Sequence, residues 1–107
     1  MSTPNSKENI IQLSEYISIY LMFRKSANEL FEYINSSDVN KVIIDFNNVR
    51  TITRAFAHQY LTNKRNSSKV IIDINIAPNI QKMFDIVERS RKKIIDNKRA
   101  KTKINSL

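Results

Sequence analysis

Cysteine and glycine are both absent from this chain of 107 residues, which has a single histidine. Without cysteine, a disulfide, a thiolate nucleophile and Cys-ligated zinc are excluded. One histidine excludes a multi-histidine metal site within the chain, and we expect neither a metal nor a cofactor. Without glycine, neither a GxxxxGK[ST] loop nor a GxGxxG turn can form, so the common phosphate-binding loops are excluded. Turns that need a positive φ must use asparagine instead, and the candidates are Asn35, Asn48, Asn63 and Asn66.

Long apolar runs are also missing, and no segment approaches the ~20 residues that cross a bilayer. The first residues, MSTPNSKEN, are polar and form no secretory apolar segment, so we expect a cytoplasmic protein without a membrane partner. A chain of 107 residues that is 41% hydrophobic and 8% aromatic is typical of one globular domain with a modest core. We place that domain at 9–93, after a disordered N-terminus at 1–8 and before a basic, frayed C-terminal tail at 94–107.

The net charge of +8 is concentrated at the C-terminus. Residues 88–107 hold eight Lys/Arg and two acidic residues, a net +6, which leaves +2 for the first 87 residues. This segment predicts weak, salt-dependent attraction to polyanions, and nucleic-acid binding is our alternative hypothesis for function. The segment has no aromatic stacking residue and no recognition motif, which disfavours specific recognition. The residues that would contact nucleic acid are Arg89, Arg91, Lys92, Lys93, Lys98 and Arg99.

The hydrophobic pattern predicts strands alternating with helices. We predict strands at 9–13, 41–46 and 69–74, and helices at 23–34, after Thr53 and from Pro78 onward. KVIID occurs in both of the later strands, and we interpret both as buried on two faces. Residues 14–22 fit a helix or a strand, and we favour a strand that pairs with the first one. The order β(β)αβαβα predicts an α/β fold, a mostly parallel sheet of three or four strands with about three helices.

Paired carboxylates suggest a third, enzymatic hypothesis. Asp45 and Asp73 end the two matching strands and could approach one another, and His58 follows in the central helix. Such groups can perform acid–base catalysis or hold Mg²⁺. No nucleophile or third ligand is evident, so we favour the simpler hypothesis that each carboxylate accepts hydrogen bonds from nearby loop amides. We therefore predict that the protein is not an enzyme.

The stretch DFNNVRTITRAFAHQYL resembles the signature of a STAS-like family classed as a domain of unknown function (DUF4325). The family pattern is an apolar strand ending in Asp-Phe, a Val after two further residues, a short polar step, and a Phe with a small residue opening a helix. Upstream, FRKSANELF resembles the start of the family's first helix, and the resemblance extends over about residues 10–87. The matching residues are Asp45, Phe46, Val49, Phe56 and Ala57, with Arg24, Ser26 and Ala27 upstream.

Through that family the chain is similar, more distantly, to STAS domains such as the anti-sigma-factor antagonists. The resemblance implies a small STAS-like α/β sandwich that acts in regulation by binding another protein, often an ATPase-fold kinase. Those domains are switched by phosphorylation of a serine in an Asp-Ser-Ser-Gly pattern at a helix start. The corresponding residues here are Thr53, Arg54, Ala55 and Phe56, so the serine and the glycine are both replaced. Thr53 is the candidate phosphosite that is left, although a threonine there also suits a helix cap.

We therefore predict a regulatory interaction module that docks a partner protein, an ATPase-fold kinase or another regulator. The contact surface is the loop after the central strand and the first turn of the helix that follows. Arginines beside a helix N-terminus can meet an anionic group of the partner. The predicted contact residues are Asn47, Asn48, Arg50, Thr51, Thr53, Arg54 and His58.

Overall fold

The computed structural model describes the backbone of residues 8–105 and the side chains of residues 9–96. The predicted α/β class is confirmed, as is the alternation of strands and helices. The described part contains a three-stranded sheet, a separate two-stranded sheet and four helices. The elements in order are β1 (Glu8–Gln12), α1 (Leu13–Tyr16), β2 (Tyr20–Leu21), α2 (Arg24–Ser36), β3 (Lys41–Asp45), β4 (Thr51–Ile52), α3 (Arg54–Asn66), β5 (Val70–Ile74) and α4 (Pro78–Asn105).

The main sheet has the strand order β1-β3-β5, and both pairings are parallel. In this register Ile43 of β3 lies between Ile10 of β1 and Ile72 of β5. Helix α2 connects β1 to β3 and α3 connects β3 to β5. Because parallel crossovers are right-handed and the strands follow one another in order, both helices cover the same face. Helix α4 then packs against α3 and β4.

The core lies between this face and the helices. Val42 and Ile44 of β3 point into it and are buried. Tyr60 of α3 is at its centre and is fully buried, with the rings of four phenylalanines around it at centroid distances of 5.4 to 6.1 Å. Aromatic burial of this kind dominates the stability of a small core. The rings around Tyr60 are Phe31, Phe46, Phe56 and Phe84.

The prediction that the two KVIID strands are buried on both faces was wrong. In β3 only alternate residues are buried, and Ile43 on the other face is half-buried. In β5, which is an edge strand, Val70 is 56% exposed and Ile72 is 36% exposed. The described residues place helices on one face only, so the β-branched residues of the other face remain uncovered.

The prediction that residues 14–22 form a strand paired with β1 was wrong about the pairing. The amides of Ile17 and Ser18 both donate to the Leu13 carbonyl, at 2.9 and 3.1 Å, and close the single turn α1. Leu13 is fully buried. The chain thereby leaves the main sheet, and β2 pairs instead with β4, in parallel. Both assignments for the segment were partly right, since it contains a helical turn and a two-residue strand.

The backbone of α4 is helical to Asn105, which extends into the segment predicted as a frayed C-terminal tail at 94–107. Fraying of that segment stays a prediction. No proline or glycine follows Pro78, so the backbone contains no helix breaker. At the other end Glu8 begins β1, and the prediction of disorder for the preceding residues lies outside the described part. No described helix is both long enough and apolar enough to cross a bilayer.

Asparagine does replace glycine where the backbone needs a positive φ, but only one of the four predicted positions is correct. Asn48 has a φ of 69°, and Asn75, which we did not predict, has a φ of 58°. Asn35 and Asn63 lie inside α2 and α3, and Asn66 is the last residue of α3. These helices end at serines with extended backbone, so they need no left-handed residue.

Candidate functional site

The short β2–β4 ribbon brings the starts of α2 and α3 together. Tyr20 pairs with Thr51, and Leu21 pairs with Ile52. Leu21 and Ile52 are buried, so Tyr20 and Thr51 lie on the outer side of the ribbon. The Thr53 amide donates to the Leu21 carbonyl at 2.9 Å, which continues the pairing up to the residue before α3.

Thr53 fixes this junction through its side chain. The hydroxyl accepts a hydrogen bond from the Phe56 amide at 3.1 Å, which confirms the predicted N-cap of α3. The same hydroxyl donates to the Met22 carbonyl at 2.7 Å. It therefore caps one helix and holds the strand that leads into the other. Because the hydroxyl is used both as a donor and as an acceptor, its geometry supports a structural role for Thr53.

Both helices at this junction begin with an arginine. Arg24 is the first residue of α2, Arg54 is the first residue of α3, and neither helix has an acidic residue in its first turn. A cation at a helix N-terminus opposes the helix dipole, which favours negative charge there by typically about 0.3–1 kcal/mol. The local structure therefore gives no reason for these two positive charges.

The partners of the two arginines are neutral. The guanidinium of Arg24 lies 3.0 Å from Nδ1 of His58, and Arg54 donates to the Ser90 hydroxyl at 2.9 Å. Because arginine can only donate, Nδ1 of His58 must accept and the ring proton lies on Nε2. The contacts orient both guanidinium groups but do not neutralise them. No ion pair to Arg24 or Arg54 is present among the described side chains.

A cavity of about 580 Å³ opens between these helix starts and α4. Its polar lining comes from the arginines, His58 and Ser90, and its apolar lining comes from α3 and from α4 where that helix leaves the core. None of the described residues that line it is acidic. The cavity is therefore cationic on one side and apolar on the other. The lining residues are Arg24, Arg54, Ala55, His58, Val87, Ser90, Arg91, Ile94 and Ile95.

Three large apolar side chains are exposed beside the arginines. Phe23, the residue just before α2, is 67% exposed, and Tyr20 and Met22 of the same strand region are about half exposed. Aromatic, methionine and arginine side chains are the types enriched in protein–protein interfaces. We refer to this whole area as the docking surface, defined by Tyr20, Met22, Phe23, Arg24, Thr51, Thr53, Arg54 and His58.

The structure brings only part of the predicted contact set into this surface. Thr51, Thr53, Arg54 and His58 belong to it. Asn47, Asn48 and Arg50 lie at the carboxyl edge of the main sheet instead. There Asn48 and Arg50 line another cavity, with residues of α1, and the Asn47 amide donates to Asp45 at 2.9 Å.

The two carboxylates of the enzymatic hypothesis do not meet. Asp45 lies on the uncovered face of the sheet, where it accepts from the Asn47 amide and from the Asn75 side chain at 3.0 Å. Asp73 points toward α3 on the opposite face, and the register places Ile44, not Asp45, beside it. The favoured hypothesis of local amide partners is confirmed for Asp45, whereas Asp73 bonds Tyr60 and Lys64. No cluster of three metal-ligating side chains occurs among the residues that the structure describes.

The basic residues of α4 are mixed with acidic ones. Arg89, Arg91 and Lys92 line a cavity of about 680 Å³ together with Asp85 and Glu88. Glu88 accepts from Arg91 at 3.1 Å. This lining has three basic and two acidic residues, whereas the lining of the 580 Å³ cavity has three arginines and no acidic residue. The 680 Å³ cavity is therefore the weaker candidate site for an anion. Lys93 is exposed further along the helix, and the side chains of Lys98 and Arg99 lie outside the described part.

Comparison of the chain with family models, curated proteins and solved structures finds no match. The function must therefore be argued from the residues of the site.

Sequence reasoning missed Arg24, Tyr20, Met22 and Phe23 of the docking surface, and Ser90 of the 580 Å³ cavity beside it. A signal was present for the first of them, because Arg24 and Arg54 are both expected at helix starts, where an acidic residue is preferred. The sequence does not show that these two helix starts are neighbours, since their proximity depends on the packing of α2 against α3 and on the two-residue pairing of β2 with β4.

Proposed function

We propose that the chain is a non-catalytic regulatory module of the STAS-like type, which binds a partner protein through the docking surface. The observation that carries the proposal is the pair of arginines at the starts of α2 and α3. Their charge opposes the helix dipoles, and their described partners are neutral. These positive charges are unfavourable for the isolated chain, yet hydrogen bonds hold both guanidinium groups in place. Such an arrangement is suited to binding an anionic group of another molecule.

The chemistry of the surface indicates an acidic segment of the partner. Guanidinium groups bind carboxylates through paired, charge-assisted hydrogen bonds. The apolar side of the 580 Å³ cavity and the exposed ring of Phe23 offer contacts for apolar side chains next to those carboxylates. Interface energy is typically concentrated in such aromatic and arginine residues. On the STAS-like resemblance, the partner is an ATPase-fold kinase or another regulator.

A phosphorylation switch at Thr53 is not part of this proposal. A phosphoryl group would remove the hydrogen that the hydroxyl donates to the Met22 carbonyl. It would also replace the oxygen that caps α3 at a junction where the chain is closely paired. The geometry instead supports a constitutive surface.

The test is capture of partners from the native cell with the tagged full chain and with two variants. Arg54→Glu reverses a charge of the docking surface, and Lys82→Glu makes the same change at an exposed residue on α4 outside it. We expect one defined protein to be retained by the wild type and by Lys82→Glu, and to be released by Arg54→Glu. Equal retention by both variants would contradict the proposal.

Nuclease treatment separates this function from the nucleic-acid alternative. If docking is correct, the partner stays bound after nuclease treatment and after the chain is ended at Asp96, which keeps Ile94 and Ile95 of the 580 Å³ cavity. Recovery of nucleic acid alone, which disappears on nuclease treatment, would instead support the basic segment as the functional element.

A further inference from the structure

The uncovered face of the main sheet is apolar and carries few charges. Ile10, Ile43 and Ile72 are in register across the three strands and form a continuous row on this face. Ile10 is 63% exposed, and Val70 and Ile74 lie on the same face of β5 and are also exposed. Sheets made only of parallel strands are almost always covered on both faces. No helix or loop among the described residues covers this one.

We propose that this face binds a second copy of the chain, so that two sheets pack face to face around a two-fold axis. The axis lies along the isoleucine row, perpendicular to β3, and places the row of one copy on the row of the other. It reverses the strand direction, so each strand faces its own counterpart running antiparallel. Such an interface is isologous, as in most homodimers.

The pattern of side chains on the face is complementary to itself in this arrangement. Lys41 and Asp45 are two residues before and two residues after Ile43 on the same strand and on the same face. Reversal of the strand places Lys41 of each copy opposite Asp45 of the other. In the same way Val70 faces Ile74 of the other copy, an apolar pair at the edge strand. The arrangement therefore pairs opposite charges along β3 and apolar residues along β5.

The charge distribution favours a second copy over an acidic or polyanionic partner. The basic excess of the chain lies at 88–107, and α4 packs against α3, on the helical side of the sheet. Two copies that meet through their uncovered faces keep α3 and the part of α4 packed on it away from the interface. The face itself contributes one cation and one anion from β3, so that strand offers no net charge to attract a polyanion.

The size of the face determines how tightly two copies of the chain are expected to bind. Three strands of five residues span roughly 16 Å by 14 Å, from the usual rise and strand spacing. Stable complexes usually bury about 800 Å² on each partner, which is more than this face provides. The dimer is therefore weak and depends on concentration.

The first test measures the molar mass of the full chain by sedimentation equilibrium from about 10 μM to about 1 mM, the range in which a weak dimer dissociates. We expect the mass to rise from one chain toward two. Ile72→Lys places a charge in the isoleucine row at a partly exposed position, and it should keep the mass at one chain. Phe23→Lys makes a similar change in the docking surface and should dimerise like the wild type. A wild type that stays monomeric, or an Ile72→Lys variant that dimerises normally, would overturn the proposal.

The second test examines the two-fold arrangement by exchange of charges. Lys41→Asp and Asp45→Lys should each lower the dimer fraction, because each puts like charges opposite one another. An equimolar mixture of the two variants should dimerise again, since every acidic residue then faces a lysine of the other variant. Circular dichroism of each variant serves as the control that it is folded. A mixture of folded variants that stays monomeric overturns the two-fold arrangement.

Discussion

Tyr60 donates its phenolic hydrogen to Oδ1 of Asp73 at 2.5 Å, and Lys64 holds the other oxygen of that carboxylate at 2.8 Å. Tyr60 is fully buried, and the side chain of Asp73 is only 11% exposed. A buried hydroxyl in an aromatic cluster needs a partner, and the edge strand supplies one. The bond therefore couples the central helix α3 to β5, the strand that is held on one side only.

Replacement of Tyr60 by phenylalanine should destabilise the fold although it keeps the ring. The variant leaves Oδ1 of Asp73 without its donor, while Lys64 remains on the other oxygen. We expect a decrease of about 1–2 kcal/mol in the free energy of unfolding, measured with urea. Tyr33→Phe, at an exposed residue of α2, is the control and should change stability by less than about 0.5 kcal/mol. Equal stabilities of the two variants would show that the hydrogen bond contributes nothing.

Stability should fall at alkaline pH because of the same residue. Burial raises the pKa of Tyr60 well above its ordinary value of 10.0, and the charge of Asp73 and its hydrogen bond raise it further. Above about pH 10 the unfolded chain releases this proton while the folded chain keeps it. The unfolding free energy then decreases with pH, by up to about 1.4 kcal/mol per pH unit from this group. Urea unfolding should be measured at several pH values from about 9 upward, a range that includes the ordinary tyrosine pKa. The decrease in unfolding free energy per pH unit should be smaller for Tyr60→Phe than for the wild type.

The sequence predicts the sheet well but not its exposure. The strands at 41–46 and 69–74 are both present, because β-branched runs bounded by turn residues indicate a strand whatever lies on either side. An apolar run does not show whether both faces are covered, since that depends on where the crossover helices lie. Here the order β1-β3-β5 places α2 and α3 on one face. The residues Ile10, Ile43 and Ile72 therefore face outward although their sequence context is that of a core.

Prediction of the site was partial for a related reason. Thr53 was predicted from local chemistry, because a threonine before a helix is a cap wherever that helix lies. Arg24 belongs to the same site but is 30 residues from Arg54 in the chain. The packing of α2 against α3 and the tertiary pairing of Tyr20 with Thr51 bring the two together. A two-residue strand is too short to be predicted from its pattern, so the site was incomplete.

Removal of the Thr53 hydroxyl should loosen the docking surface and destabilise the domain. Thr53→Val keeps the shape but removes both the cap of α3 and the bond to the Met22 carbonyl. We expect the free energy of unfolding to fall by about 1–2 kcal/mol in thermal or urea unfolding. Thr53→Ser, which keeps the hydroxyl, should stay near the wild type. Thr51→Val on the exposed side of β4 is a second control, and a Thr53→Val variant as stable as these two would refute the structural role.

Removal of the end of α4 should lower the net charge of the chain but have little effect on the stability of the fold. Val87 is the last buried residue in the described part of α4. A chain ended at Lys93 lacks four Lys/Arg and Asp96, which lowers the net charge from +8 to +5. We expect its unfolding free energy to stay within about 1 kcal/mol of the wild type.

Binding of this shortened chain to a single-stranded oligonucleotide should also depend less on salt. Each phosphate that the shorter chain no longer neutralises should reduce the logarithmic slope of affinity against salt concentration by about 0.7. Fluorescence anisotropy at several salt concentrations measures this slope for the full and the shortened chain. An unchanged slope would exclude the segment from polyanion binding.

Reversal of the charge at Arg54 should stabilise the fold while it weakens docking. A glutamate at the first position of α3 is favourable with respect to the helix dipole, by about 0.3–1 kcal/mol, whereas the arginine opposes it. The gain is reduced because the variant lacks the bond from Arg54 to Ser90 at 2.9 Å, which is exposed and therefore contributes little. Urea unfolding should give Arg54→Glu a stability equal to or above that of the wild type, and Lys82→Glu should lie within about 0.5 kcal/mol of it. A decrease of more than about 1 kcal/mol with Arg54→Glu would mean that the arginine is a structural residue. That result would remove the main support for a docking role, because the charge would then serve the fold itself.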